Sequence, residues 1–168
     1  MSQLATRHRL VPRIGRFAWL MALYSENHLK ISRLFPVRTL AAGRWVSDVG
    51  DGLPLHMDVI EQHPYTSEIR LSYAIADPVT GEPDPSAYLR LYHDADQLEA
   101  THCYVGRRWQ DVIGLNPSPQ RLLGHRMRMN TFLGKWLQYL LERGHGEATL
   151  RYEGPIPVVV RDADVENA

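Results

Sequence analysis

The hexapeptide Arg90-Leu91-Tyr92-His93-Asp94-Ala95 crowds ionisable groups into a run that otherwise has the composition of a strand. Arginine can pair with a phosphate through its planar fork, histidine can give or take a proton near neutral pH, and aspartate can orient that histidine. In this arrangement Arg90 binds the anion, His93 moves the proton and Asp94 holds the imidazole. Strand geometry constrains it. Successive side chains alternate faces, so Leu89, Leu91 and His93 share one face while Arg90, Tyr92 and Asp94 share the other. A His93–Asp94 dyad therefore needs the strand to bend at Asp94. Without that bend the segment is a polar strand face, with a histidine at the rim of the core bonded to a backbone carbonyl.

A second group lies downstream. Arg121, His125, Arg126, Arg128 and Asn130 cluster where a long helix begins. Arg126 and Asn130 are four apart and so share a helix face, where with the helix N-terminus they could hold an anion. The bland alternative is a solvated basic face. For Arg90, Tyr92, Arg126 and Asn130 to serve one ligand, the strand corner must sit beside the start of that helix.

Other chemistries find little footing. The histidines show no HxH, HExxH or His-Cys spacing, so no metal is expected. Dinucleotide and phosphate-loop glycine patterns and a Gly-x-Ser-x-Gly elbow are missing, and no cofactor is expected. The single cysteine, Cys103, excludes an internal disulfide and suits a reducing cytosol; its pattern is that of a half-buried strand thiol. Net charge is zero but segregated. Residues 1–38 carry seven Lys or Arg against one acid, and residues 39–106 carry three against eleven. Residues 107–151 carry eight against three. Basic helical ends flank an acidic middle, which favours attraction within the fold over nucleic-acid binding.

The elements follow from periodicity. Residues 1–12 are expected to form an irregular arm. Phe17, Tyr24, His28, Ile31 and Leu34 recur at helical spacing until Pro36 stops the helix. Alternation then marks strands around Leu53–Ile60, Ile69–Ile75, Ala87–His93 and Leu98–Val105, with residues 108–112 extending the ladder and Asp94-Ala95-Asp96 as a corner. Ser118-Pro119 is N-cap chemistry for a helix whose stripe is Met129, Phe132, Leu133, Trp136, Leu137 and Leu140, ended by Gly144. Gly124 is expected to break off a short leading turn. A short strand is expected at Pro157–Arg161 and a frayed acidic end at 162–168. The sum is one α+β domain over 13–150, with a tail over 151–168. Its core is an antiparallel meander of about five strands packed against an N-terminal and a long C-terminal helix. No apolar stretch approaches the ~18 residues a bilayer crossing requires.

The hexapeptide, together with Asn130-x-Phe132-Leu133-x-x-Trp136-Leu137-x-Tyr139-x-Leu141-x-x-Gly144 and the helix ending Leu34-Phe35-Pro36, resembles the YqiB-like family of bacterial proteins of unknown function. The likeness spans residues 13–146. It implies a cytoplasmic bacterial protein and supplies no activity, ligand or catalytic residue. Some relatives sit beside phosphohydrolase genes, which points by association toward nucleotide metabolism. The expectation is a non-enzymatic accessory or regulatory domain acting through a protein partner or self-association. The alternative is a nucleotide or phosphate-ester binding protein, a hydrolase if His93 and Asp94 are catalytic. Whether any reaction is catalysed stays open, and membrane and nucleic-acid partners are disfavoured.

Overall fold

A computed structural model describes residues 15–75, 78–79, 81, 83–105, 107–108, 114 and 116–158. The first helix, α1 (Arg16–Leu34), buries Leu20, Tyr24, Asn27, Ile31 and Leu34, a three-to-four spacing that lines one face. Its end is set at Phe35, whose backbone turns extended before Pro36. A single 3-10 turn at Val37–Thr39 follows. Strands β1 (Gly43–Ser47), β2 (Leu55–Gln62), β3 (Thr66–Tyr73), β4 (Ser86–Tyr92) and β5 (Gln97–Val105) come next, then a two-residue β6 (Arg107–Arg108). Helix α2 (Pro119–Glu142) and strand β7 (Leu150–Gly154) complete the order.

Every strand pairing is antiparallel, and the sheet runs β6-β5-β4-β3-β2-β1-β7. Six strands have five residues or more, so the sheet exceeds the expected five. The additions are β1 and β7. Of the expected strand at Pro157–Arg161, Pro157 and Val158 are not in a strand and residues 159–161 lie outside the described residues, whereas β7 lies just before it. Pairing with β1 carries the sheet past residue 150, into the stretch read as tail. The arm at 1–12, residues 109–112 and the end at 162–168 lie outside the described residues.

Register explains the core. Leu55, Met57 and Val59 stand opposite Tyr73, Leu71 and Ile69, which continue across to Ala87 and Leu89 and then to Cys103 and Ala100. All these side chains are buried under the helices. A bulge between Tyr88 and Leu89 shifts the β5 phase, so Cys103 rather than His102 faces inward. Helix α2 is continuous through Gly124, contrary to the expected break. A lone glycine costs only ~1 kcal/mol in a helix, and the stripe from Met129 to Leu140 outweighs it. Ser118 caps α2, its hydroxyl accepting from the Arg121 N–H at 3.2 Å. Gly144 at φ 91° supplies the left-handed turn past its end. Asn27 bonds Asn130 and Lys30 bonds Gly134, so the two helices run parallel as they cross the sheet.

Candidate functional site

The corner at His93–Asp96 sorts the hexapeptide onto two faces, with Asp96 at φ 51° completing the turn. Leu89 and Leu91 are buried, and His93 sits at the rim of their face. Asp94 is exposed and is not among the described hydrogen-bond partners of His93. The Asp94 charge reaches His93, but among the described residues no hydrogen bond joins the two into a dyad.

His93 is instead bonded through Nε2 to Ser67 Oγ at 2.7 Å. Ser67 is a polar residue in a core-facing register of β3, fully buried opposite Leu91. Its hydroxyl also bonds Gln62 Oε1. The protons along this path can be assigned. Gln62 Nε2 donates to two backbone carbonyls, Val37 O at 2.6 Å and Leu40 O at 2.9 Å, which fixes its amide orientation. Its Oε1 must then accept from Ser67. Because Ser67 spends its only proton there, its oxygen accepts the Nε2–H of His93. Nδ1 is the ring nitrogen that remains outside this chain of bonds.

His93 lines a cleft of about 290 Å³ with His28 and Ser32 of α1, Arg38 and Thr39 of the 3-10 turn, and Asp96. Burial pushes the His93 pKa down, Arg38 and His28 push it further in the same direction, and the Asp94 charge opposes them without reversing the shift. Thr39 and Ser32 donate their hydroxyls to Pro36 O and His28 O, leaving their oxygens as acceptors only. Arg38 makes one long contact, 3.5 Å to Pro64 O. Arg38 is therefore the cationic donor that this cleft presents.

The other expected residues form a separate network. Arg90 pairs with Glu68 at 2.6 and 3.0 Å on the sheet face away from the helices and also engages Tyr92. Tyr92 donates to Glu99 at 3.0 Å, and Glu99 accepts from Arg126 at 2.7 Å. Arg126 in turn meets the Tyr24 hydroxyl of α1. Arg126 does reach the strand corner's neighbourhood, as the phosphate reading required, but it does so through Glu99, which the sequence reading passed over. Asn130 is fully buried. Its Oδ1 accepts the Ala100 N–H at 2.9 Å, its Nδ2 donates to Arg126 O at 2.8 Å, and its own carbonyl accepts from Asn27 at 2.9 Å. The amide is spent on the protein's backbone.

Cys103 is buried, and burial alone pushes its thiol up to about 12. Among the described residues no three His, Cys, Asp or Glu side chains gather as metal ligands, and no helix is long and apolar enough to cross a membrane.

Residues 30–146 match the family described as "Protein of unknown function (DUF1249)". The chain belongs to that family. The DUF1249 span holds Arg38, Gln62, Ser67, His93, Glu99, Arg126 and Asn130, whereas Tyr24 and His28 precede it and β7 follows it. No curated protein and no solved structure matches the chain.

Proposed function

We propose that this DUF1249 protein is a non-enzymatic accessory or regulatory domain that recognises an anionic group in the cleft of His28, Arg38 and His93. The observation that carries the reading is the proton order along Gln62, Ser67 and His93. A catalytic serine hands its proton to the histidine. Here the serine proton goes to the glutamine, and the imidazole is the donor. Ser67 is thus no nucleophile, Cys103 is held as a thiol, and the described hydrogen bond of the His93 ring goes to Ser67 rather than to Asp94. What remains is binding. Arg38 faces a pocket that His28 and His93 also line and whose serine and threonine protons are already spent, which suits a carboxylate or phosphate oxygen. The hexapeptide's resemblance to the YqiB-like group supports the reading, and one buried thiol fits action in a reducing bacterial cytoplasm.

Chemical-shift titration with inorganic phosphate tests the reading. Signals of Arg38 and of its neighbours His28 and His93 should move as phosphate is added. Arg38→Ala should abolish the movement and Arg126→Ala should leave it. Phosphate-ester hydrolysis should stay at the buffer rate. Shifts confined to the Arg126 region, or turnover that depends on Ser67, would refute it.

A further inference from the structure

We infer that β7 is the surface through which two copies of this chain pair, antiparallel and about a two-fold axis at Tyr152. The inference concerns the far edge of the sheet and is independent of the cleft. The strand order ends at β7, and among the described residues no strand lies on its outer side. On the inner side Asp48 N–H donates to Thr149 O at 3.3 Å, and the register continues as Leu150 with Ser47 and Arg151 with Val46. Antiparallel ladders alternate, so Leu150 and Tyr152 turn their N–H and C=O groups outward. These form an open template for another strand.

Edge strands are usually guarded by charges that repel a second copy. The side chains on this edge do the opposite. Arg151 and Glu153 are two apart on one face, 3.5 Å from each other, with 68% and 42% of their side chains exposed. An antiparallel pair centred on Tyr152 sets Arg151 of each copy opposite Glu153 of the other. The four charges then alternate in sign. Centring the pair on Arg151 or on Glu153 would oppose like charges, so the sequence selects one register. On the other face Tyr152, half-exposed and tilted against Trp45 with ring centroids 5.0 Å apart, meets its own copy as a cross-strand aromatic pair. A two-fold axis perpendicular to the sheet keeps both helix layers on one side and makes one continuous sheet.

Sedimentation equilibrium of the full chain, from about 10 µM to about 1 mM, tests this. The wild type should show a reversible monomer–dimer equilibrium. Arg151→Glu places two like-charged oppositions at the axis and should raise the dimer Kd roughly tenfold or more. The double exchange Arg151→Glu with Glu153→Arg should return it to the wild-type value. Unchanged thermal melting of the single variant shows that it folds. Tyr152→Cys should cross-link to a dimer under mild oxidation, since the other thiol is buried. A wild type monomeric throughout, an Arg151→Glu variant that dimerises equally well, or a double exchange that fails to restore pairing overturns the inference.

Discussion

Replacing Asn130 by alanine separates a ligand-binding asparagine from a structural one. Beyond the short β6 pairing at Tyr104 and Val105, β5 presents Ala100 N–H with the Asn130 amide as its partner. Ala100 is almost fully buried, so water cannot replace that acceptor. Orphaning the N–H costs ~1–3 kcal/mol. The void left by the amide adds about 1 kcal/mol, and the better helix propensity of alanine returns roughly 0.5 kcal/mol. The Arg126 carbonyl is already engaged in the helix ladder and adds little. The net loss is about 1.5–3.5 kcal/mol, which for a chain of this size lowers Tm by roughly 3–14 °C. Urea unfolding should show a lower midpoint with an unchanged slope. Amide exchange at Ala100 should speed up, and phosphate titration of the cleft should be unaffected. A stability change under about 0.5 kcal/mol with Ala100 still protected would refute the reasoning.

Three further outcomes follow from the same geometry. A Cβ on Gly134 would lie 2.8 Å from Asn27 Oδ1 at the helix crossing, whereas one on Gly124 meets only the flexible end of Arg128 at 3.7 Å. Gly124→Ala should therefore gain ~0.5–1 kcal/mol of unfolding free energy, and Gly134→Ala should instead lose ~1–2 kcal/mol as overpacking outweighs propensity. Burial depresses the pKa of His56, His93, His125 and His145 below the ordinary 6.5. The unfolded chain takes up these protons first, so stability is full above about 6.5 and is lost as pH falls through the lower folded values. Denaturant midpoints should be flat between pH 8 and 7 and drop below 6.5; a rise on acidification would contradict this. With its thiol raised from 9.0 to about 12, Cys103 should react with a disulfide reagent at least ~10³-fold more slowly in the native than in the unfolded protein.

The sequence was most legible where one periodicity ran long enough. Helix α2 shows its stripe, its Ser118-Pro119 start and its Gly144 stop, and strands β2 to β5 alternate over seven to nine residues. Strands β1 and β7 carry no such signal. Gly43–Ser47 has buried residues on both faces, and in β7 Leu150 alone packs against the core cluster. Backbone pairing and the Trp45–Tyr152 ring contact build that edge, and both join residues more than a hundred apart. His93 was visible as a rim histidine, but its partners Ser67, Gln62, Arg38 and His28 come from separate segments with no common spacing. One local sign was available: Ser67 occupies the phase of Ile69, Leu71 and Tyr73, and a polar residue there needs a bonded partner. Asn130 gave the same sign between Met129 and Leu133.

The residues that most resembled a binding site are better explained by a problem at the sheet edge. Helices α1 and α2 cover one face of β4 and β5, and the polar row Glu68, Arg90, Tyr92 and Glu99 lies on the other. Arg126 joins the two layers by reaching from α2 to Glu99, where Tyr24 of α1 also meets it. Asn130, one turn on, closes the backbone gap at Ala100. An exposed ion pair alone contributes ~0–1 kcal/mol, so the arrangement matters less for its energy than for what it occupies. Each cation in the row already has an acid, and each acid has a donor. An incoming phosphate would have to displace Glu68 from Arg90 and Glu99 from Arg126, gaining one charge-assisted contact for each it breaks. Arg38 has no acid among its described partners, and that difference, rather than the local density of charge, is why the proposed anion site is the cleft and not the polar row.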